Sequence, residues 1–400
     1  MSCNELLLEE ERFASSSSQP GDLAVMLTGG GARAAYQAGQ LRGIAKHFPN
    51  LRIQIVTGVS AGAINAIFLA ARSGTLAQKA ADLADLWCEL QCQHIFSFDL
   101  LSMMPFRSAL ASVYPRRNWS RPRGLVDTSP LGELLQRVLD CRPGKPIEGI
   151  IRNIDSGRLR AVALMTLDYT TGQSVRWFQG GNMDVFEGPN RRSERTQLTL
   201  EHVLASSSLP FLFPAVRIDN RWHGDGGIRL AAPLSPAVHL GASRIIAMST
   251  GYQRTSDEAQ TPVVSGYPPA AQILSQLFNA VFLDVIDEDV ARMERMNDML
   301  RKMRPEDRQG MKPIDLLVLR PSVDLGKLAG EYEHRLPRNV KLLTRALGAK
   351  AAESPDVLSM LMFEPEYTHR IIDIGESDVD ARVDEIRQFL GEPASLQAVM

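Results

Sequence analysis

The chain is poor in cysteine and aromatics and carries no excess of either charge. Four cysteines in 400 residues, Cys3, Cys88, Cys92 and Cys141, are too sparse for a disulfide framework. Cys88 and Cys92 fall at i, i+4 on one predicted helix with His94 nearby, but the local sequence supplies no fourth ligand. A reduced thiol pair in a reducing cytoplasm is expected there, and no metal. A net charge of −2 leaves no basic face for a phosphate backbone and argues against a nucleic-acid partner. No apolar run is long enough to span a membrane. Residues 1–20 carry Glu5, Glu9, Glu10 and Glu11 and the run Ser15 to Ser18, without a basic start or an apolar core. They read as a flexible leader and not a signal peptide. Together these absences predict a cytoplasmic chain whose contact with a membrane is peripheral, at its inner face.

What is present suffices for a large core: 44% of the residues are hydrophobic. Strand and helix patterns alternate. Strands are predicted at Leu23–Leu27, Arg52–Thr57, Ala161–Leu167, Ser174–Phe178, Arg244–Met248 and Ile314–Leu319. Helices are predicted from about Ala34 to His47, Ala61 to Arg72, Leu76 to Gln93 and Leu200 to Ser206. The alternation predicts a three-layer α/β/α fold with a mostly parallel central sheet, in which sites gather at the carboxyl ends of strands.

Gly58-Val59-Ser60-Ala61-Gly62 stands where the second strand gives way to a helix. Glycines two before and two after the serine leave no Cβ to clash in a sharp strand-to-helix bend, so Ser60 is expected to project its hydroxyl into solvent near a helix N-terminus. That is the geometry of a nucleophile. The plainer alternative is a glycine-rich turn with Ser60 as N-cap.

Thr28-Gly29-Gly30-Gly31-Ala32-Arg33 follows the first strand in the same way. The N–H groups of Gly29, Gly30 and Gly31 suit the oxygen of a tetrahedral intermediate, an oxyanion hole. Arg33 either adds positive potential or pins the loop through a salt bridge. A dinucleotide fingerprint also fits Gly29 to Ala34, but the next strand ends without an acidic residue to hold a ribose.

A third element is Trp222-His223-Gly224-Asp225-Gly226-Gly227, expected in a loop after the short strand Ala215–Ile218. A carboxylate flanked by glycines can approach a serine hydroxyl. In isolation, Asp-Gly-Gly reads equally as a tight Asx turn.

In order, these three motifs resemble the bacterial patatin-like phospholipases, as does Ala205-Ser206-Ser207-Ser208-Leu209-Pro210 with Phe213-Pro214. The resemblance spans roughly residues 22 to 250; Ala34 departs from it, where many relatives carry a further glycine. It implies a serine lipid acyl hydrolase with Ser60 as nucleophile, Asp225 as general base and Gly29 to Gly31 as oxyanion hole. Arg33, Gly58, Gly62, Gly226 and Gly227 support them. It implies an acyl-enzyme, a phospholipid or lysophospholipid substrate, and no metal or organic cofactor. A thioesterase or transacylase using the same dyad is an alternative, and so is a catalytically silent lipid-binding protein. A Ser-His-Asp triad would need a histidine; His223, two residues before Asp225, is the one that could enter the site, and it reads more readily as a structural residue beside it.

Ile95 to Phe106, with Arg116, Arg117, Arg121 and Arg123 beyond, reads as a lipid-contacting lid or as core beside a basic loop. Phe278 to Met303 reads as one long amphipathic helix that lines an acyl pocket or covers the sheet. We divide the chain into a catalytic domain at 21–325 and a helical extension at 326–400, with helices at Leu342–Leu347, Asp356–Met362 and Asp378–Leu390 interrupted by Pro355 and Pro365.

Overall fold

A computed structural model describes residues 22–97, 124–181, 183, 185–260, 267, 270–346 and 355–391. The leader, most of the lid segment and its arginines lie outside these residues.

Nine strands form one sheet: β1 (Leu23–Leu27), β2 (Ile55–Gly58), β3 (Ala161–Asp168), β4 (Ser174–Gly180), β5 (Arg191–Arg195), β6 (Val216–Ile218), β7 (Arg221–Asp225), β8 (Arg244–Met248) and β9 (Asp315–Leu319). Its order is β5-β4-β3-β2-β1-β8-β9, with the β6–β7 hairpin joined through β7 to β3. The central strands β3, β2, β1, β8 and β9 run parallel. Antiparallel strand pairs are β3–β4, β3–β7 and β6–β7. The expected mostly parallel sheet with helices on both faces is the observed architecture. The sequence of β1, Leu-Ala-Val-Met-Leu, is buried along its whole length, as a strand covered on both faces requires. The second strand begins at Ile55, later than expected; just before it, Gln54 Oε1 accepts the Leu23 N–H (2.9 Å).

On one face, Val25, Leu27 and Val56 meet the helices α1 (Ala35–His47), α2 (Ala61–Ala71) and α3 (Leu76–Glu89). On the other, Ala24, Met26, Ala163 and Ala247 meet Leu234, Ala237 and Ile286. The predicted helix to Gln93 ends at Glu89, because Leu90 is extended and buried. Cys92 therefore starts a separate turn, Cys92–Ile95, and does not share a helix face with Cys88. Burial, with the nearby Glu364 charge, pushes the Cys92 thiol up to about 12.

The long helix expected at Phe278–Met303 is broken in two, α4 (Ala270–Phe282) and α5 (Val285–Lys302). The Asn279 carbonyl accepts from both Leu283 and Asp284, which turns the chain. The bend sends Phe282 towards Gly227 and Ile286 into the core of the opposite face.

Pro355 and Pro365 start helices instead of interrupting them: α6 (Pro355–Met360) and α7 (Pro365–Ala381), where a missing N–H costs nothing. α7 begins well before the expected Asp378 and lies along α1. Their backbones meet at two glycines: a Cβ on Gly39 would stand 2.0 Å from the Ile372 oxygen, and one on Gly375 2.3 Å from the Tyr36 oxygen. Tyr36 Oη donates to Asp378 (2.7 Å), and Arg42 and Lys46 pair with Glu376 and Asp380 along the same seam. Among the described residues, no helix is long and apolar enough to cross a membrane.

Candidate active site

Ser60 sits between the end of β2 and the start of α2 with φ 56° and ψ −134°, a conformation that a residue with a Cβ rarely adopts. The flanking glycines make the bend possible. A Cβ on Gly62 would lie 2.3 Å from the Leu27 and Thr28 oxygens, and one on Gly58 2.4 Å from the Gly62 oxygen. The Ser60 side chain makes no cap bond, so the N-cap alternative is set aside. Its N–H instead donates to Ser206 Oγ (3.2 Å). Contrary to expectation, the serine does not face bulk solvent. It is 2% exposed, because the bend aims it into an apolar cavity lined by Ile64, Trp87, Leu90, Leu131, Phe213 and Phe363.

The glycine-rich loop lies directly against this serine: a Cβ on Gly29 would stand 2.9 Å from Ser60 Cβ. Gly30 and Gly31 have φ of 143° and 57°, which glycine alone adopts without strain. The loop is bonded through its carbonyls. Thr250 Oγ1 donates to Gly29, Arg33 N–H to Gly30 (3.1 Å) and Gln37 Nε2 to Thr28 (2.9 Å). Among the described residues no protein acceptor takes the N–H groups of Gly29, Gly30 or Gly31. Ala34, in place of a further glycine, is buried and its carbonyl accepts from Asn65 Nδ2 (3.0 Å).

Arg33 is 1% exposed and ion-paired to Asp356, with its Nε donating to Ser359 Oγ. Between the two roles open to it, the pinning salt bridge is the one formed. Burial pushes the Asp356 carboxyl up, but Arg33 and a bond from Asn279 Nδ2 (2.6 Å) hold it below the ordinary carboxylate range. The loop also meets α6 at Gly31, where a Cβ would stand 2.2 Å from the Met360 oxygen.

Asp225 is the last residue of β7, not part of a loop. The sheet explains its position. β2 covers β3 only as far as Leu164, opposite Gly58, and β7 then pairs with Thr166, Leu167 and Asp168. Asp225, opposite Thr166, therefore arrives just beyond the end of β2, where Ser60 stands. Its N–H donates to the Ser208 carbonyl (3.1 Å) and its Oδ1 accepts from Gly227 N–H (2.8 Å). The Asx turn is thus real and serves to orient the carboxylate. Oδ2 is buried and has no hydrogen-bond partner among the described residues. Full burial raises this carboxyl to about 7, against the opposing pull of the Ser60 hydroxyl and the Gly227 N–H. A Cβ on Gly226 would stand 2.3 Å from the Met165 oxygen, and one on Gly227 2.7 Å from the Phe282 ring.

His223 is buried on the same strand, but its Nδ1 lies 3.0 Å from Thr166 Oγ1 and its ring packs edge-on against Trp177. Burial lowers its pKa. Its contacts are those of a packed core residue.

Several supporting residues carry no motif of their own. Gln37, Asn65 and Trp87 form a buried chain in which Trp87 Nε1 donates to Asn65 Oδ1 (2.8 Å) and Asn65 Nδ2 to Gln37 Oε1 (3.0 Å). It joins α1, α2 and α3 behind the loop. Thr250 was findable, since it follows β8 at the carboxyl end of the sheet, where sites gather. Asp356, Ser359 and Met360 gave no such signal.

Residues 25–238 match the family described as patatin-like phospholipase. No curated protein matches the chain. Among solved structures it resembles human GIVD cytosolic phospholipase A2 at 10% identity, with 93% of this chain and 60% of that one covered and a TM-score of 0.45. VipD from Legionella pneumophila follows at 13% identity, 86% and 67% covered, TM-score 0.32. A structure of ExoU with SpcU from Pseudomonas aeruginosa follows at 16% identity, 86% and 71% covered, TM-score 0.26. The chain thus spans only about three-fifths of the human enzyme. With a family match over more than half of its length that contains all three motifs, this chain belongs to the patatin-like phospholipase family.

Proposed function

We propose that the protein is a lipid ester hydrolase acting on phospholipids or lysophospholipids through a Ser60–Asp225 dyad. The observation that carries this reading is the fully buried Asp225 carboxyl, raised to about 7 and close to the hydroxyl of a strained Ser60 at the edge of an apolar cavity. A carboxylate of ordinary pKa is a weak base towards a hydroxyl. Raising it by burial strengthens the base while leaving a substantial ionised fraction at neutral pH.

In this reading the acyl chain enters the cavity lined by Ile64, Trp87 and Phe213, which places the ester carbonyl beside Ser60. Asp225 takes the hydroxyl proton as Ser60 Oγ attacks. The carbonyl oxygen becomes an oxyanion facing the N–H groups of Gly29 to Gly31, in a dry site where such donors act strongly. Collapse transfers the proton from Asp225 to the leaving alcohol and leaves an acyl-serine. Water then repeats the sequence and releases the fatty acid. Residues 21–325 form the catalytic unit in this proposal, with 326–391 buttressing the glycine-rich loop through Asp356 and Met360.

The test is fluorophosphonate labelling of wild type, Ser60→Ala and Asp225→Asn, with fatty-acid release from a phospholipid, a lysophospholipid and a thioester followed in parallel. Labelling lost in Ser60→Ala and release lost in both variants supports the dyad. Faster thioester than ester cleavage would overturn the substrate class, and normal turnover by Asp225→Asn would overturn the base.

A further inference from the structure

A second cavity, with about 780 Å³ of free space, lies on the opposite face of the sheet from Ser60. Its floor is Met165 of β3 and Arg176, the residue paired with it on β4. Met165 continues the face of Ala161 and Ala163, whereas Ser60 opens a helix packed on the other face. Arg191, Arg192 and Arg229 complete the cationic lining, His239 lies beside them, and among the described residues no carboxylate lines the cavity.

The arginines are not equivalent. Arg192 is committed to Asp168 (2.9 Å) and Glu194. Arg229 is held at the rim by the Gly172 carbonyl (2.6 Å) and Asn190 Oδ1 (2.8 Å). Arg191 lies over the Phe186 ring, 5.5 Å from its centroid. Arg176 is half-buried, and among the described residues no carboxylate pairs with it. One of its terminal nitrogens donates to Ser235 Oγ (2.9 Å), the other lies 3.7 Å from Met183 Sδ, and its buried Nε has no hydrogen-bond partner among the described residues. Burial and the adjacent Arg191 charge pull this guanidinium down to about 10. A desolvated cation next to like charge is unfavourable unless an anion joins it. Guanidinium forks match the paired oxygens of a phosphate, and several converging in one cavity give such a site.

We propose that this cavity binds a phosphate-type oxyanion, with Arg176 at its floor and Arg191 and Arg229 at its rim. Such a group is presented by a phosphomonoester lipid headgroup or by a free phosphorylated compound. The site does not depend on hydrolysis at Ser60, so its failure and the failure of the proposed reaction are separately visible.

The experiment is calorimetric titration of inorganic phosphate into full-length Ser60→Ala protein, which hydrolyses nothing in the proposed mechanism. Phosphate is expected to bind, and Arg176→Gln is expected to weaken binding about tenfold, or about 1.4 kcal/mol. Because Arg176→Gln disturbs a half-buried position, the exposed pair Arg191→Ala/Arg229→Ala is measured beside it and is expected to lose a similar factor. Absence of phosphate binding in the folded protein overturns the proposal, as does unchanged affinity in either folded variant. Sedimentation with phosphatidylcholine vesicles, with and without phosphatidic acid, identifies the source. Retention on phosphatidic acid that is lost in the double variant supports a headgroup, and phosphate binding without retention supports a free phosphorylated ligand.

Discussion

The serine bend and the glycine-rich loop face each other at the same cavity, yet they are held in different ways. Ser60 is fixed by its immediate neighbours: Gly58 and Gly62 admit the turn, and β2 and α2 extend from it on either side. The loop at Gly29 to Gly31 is fixed from the far end of the chain, by Asp356 on Arg33 and by Met360 against Gly31. A bend between two regular elements needs only compatible backbone, which a few adjacent residues supply. A loop with unpaired N–H groups has no ladder of its own, and its shape comes from whatever packs on it.

The largest effect expected from breaking this contrast is at the bend. Ser60→Ala removes the proposed nucleophile and is expected to reduce lipid ester hydrolysis by at least about a thousandfold. Its thermal unfolding should stay close to wild type, since the side chain makes no cap bond. A residual rate near wild type in a release assay would remove Ser60 from the chemistry.

Next comes the distant support. Asp356→Ala leaves Arg33 charged, buried and unpaired, a situation that costs about 3–5 kcal/mol in comparable cases. Urea unfolding should show that loss, and Arg33→Met/Asp356→Leu should recover much of it. If Asp356→Ala unfolded like wild type, the loop would not depend on the C-terminal helices as described.

A pH experiment separates Asp225 from both. Its folded pKa, about 7, lies above its ordinary value of 3.8, so the native state binds this proton more tightly than the unfolded chain. The stabilising contribution is complete below about pH 4 and is lost as pH rises through 7. Asp225→Asn should therefore unfold at higher denaturant than wild type at pH 8 and lose that advantage at pH 5. Wild-type hydrolysis should move the other way, rising with an apparent midpoint near 7 as the base ionises. A midpoint near 4 would place the proton elsewhere.

The smallest effect is expected at His223. His223→Phe removes the contact with Thr166 Oγ1, a loss of about 1 kcal/mol in stability, while turnover changes only a few-fold. A loss comparable to that of Ser60→Ala would restore the triad reading.

Much of this was legible beforehand. β1, β8 and the helix at Leu200–Ser206 fall where hydrophobic runs and flanking turns placed them, because strands covered on both faces and short capped helices declare themselves locally. The helix at Phe278–Met303 misled, since its apolar period continues across a bend that exists only because Phe282 and Ile286 pack into different layers. Pro355 and Pro365 misled because a proline marks a helix start as readily as a stop.

The sequence by itself determined the two strand-to-helix turns, their glycines and the identity of the serine and aspartate, since these depend on backbone freedom and side-chain type. Only the tertiary structure decided that Asp225 meets Ser60, that Arg33 is neutralised by Asp356, and that four arginines from three separate segments share one cavity. Those pairings come from strand register and helix packing between segments remote along the chain, and no local pattern encodes which distant residue will arrive.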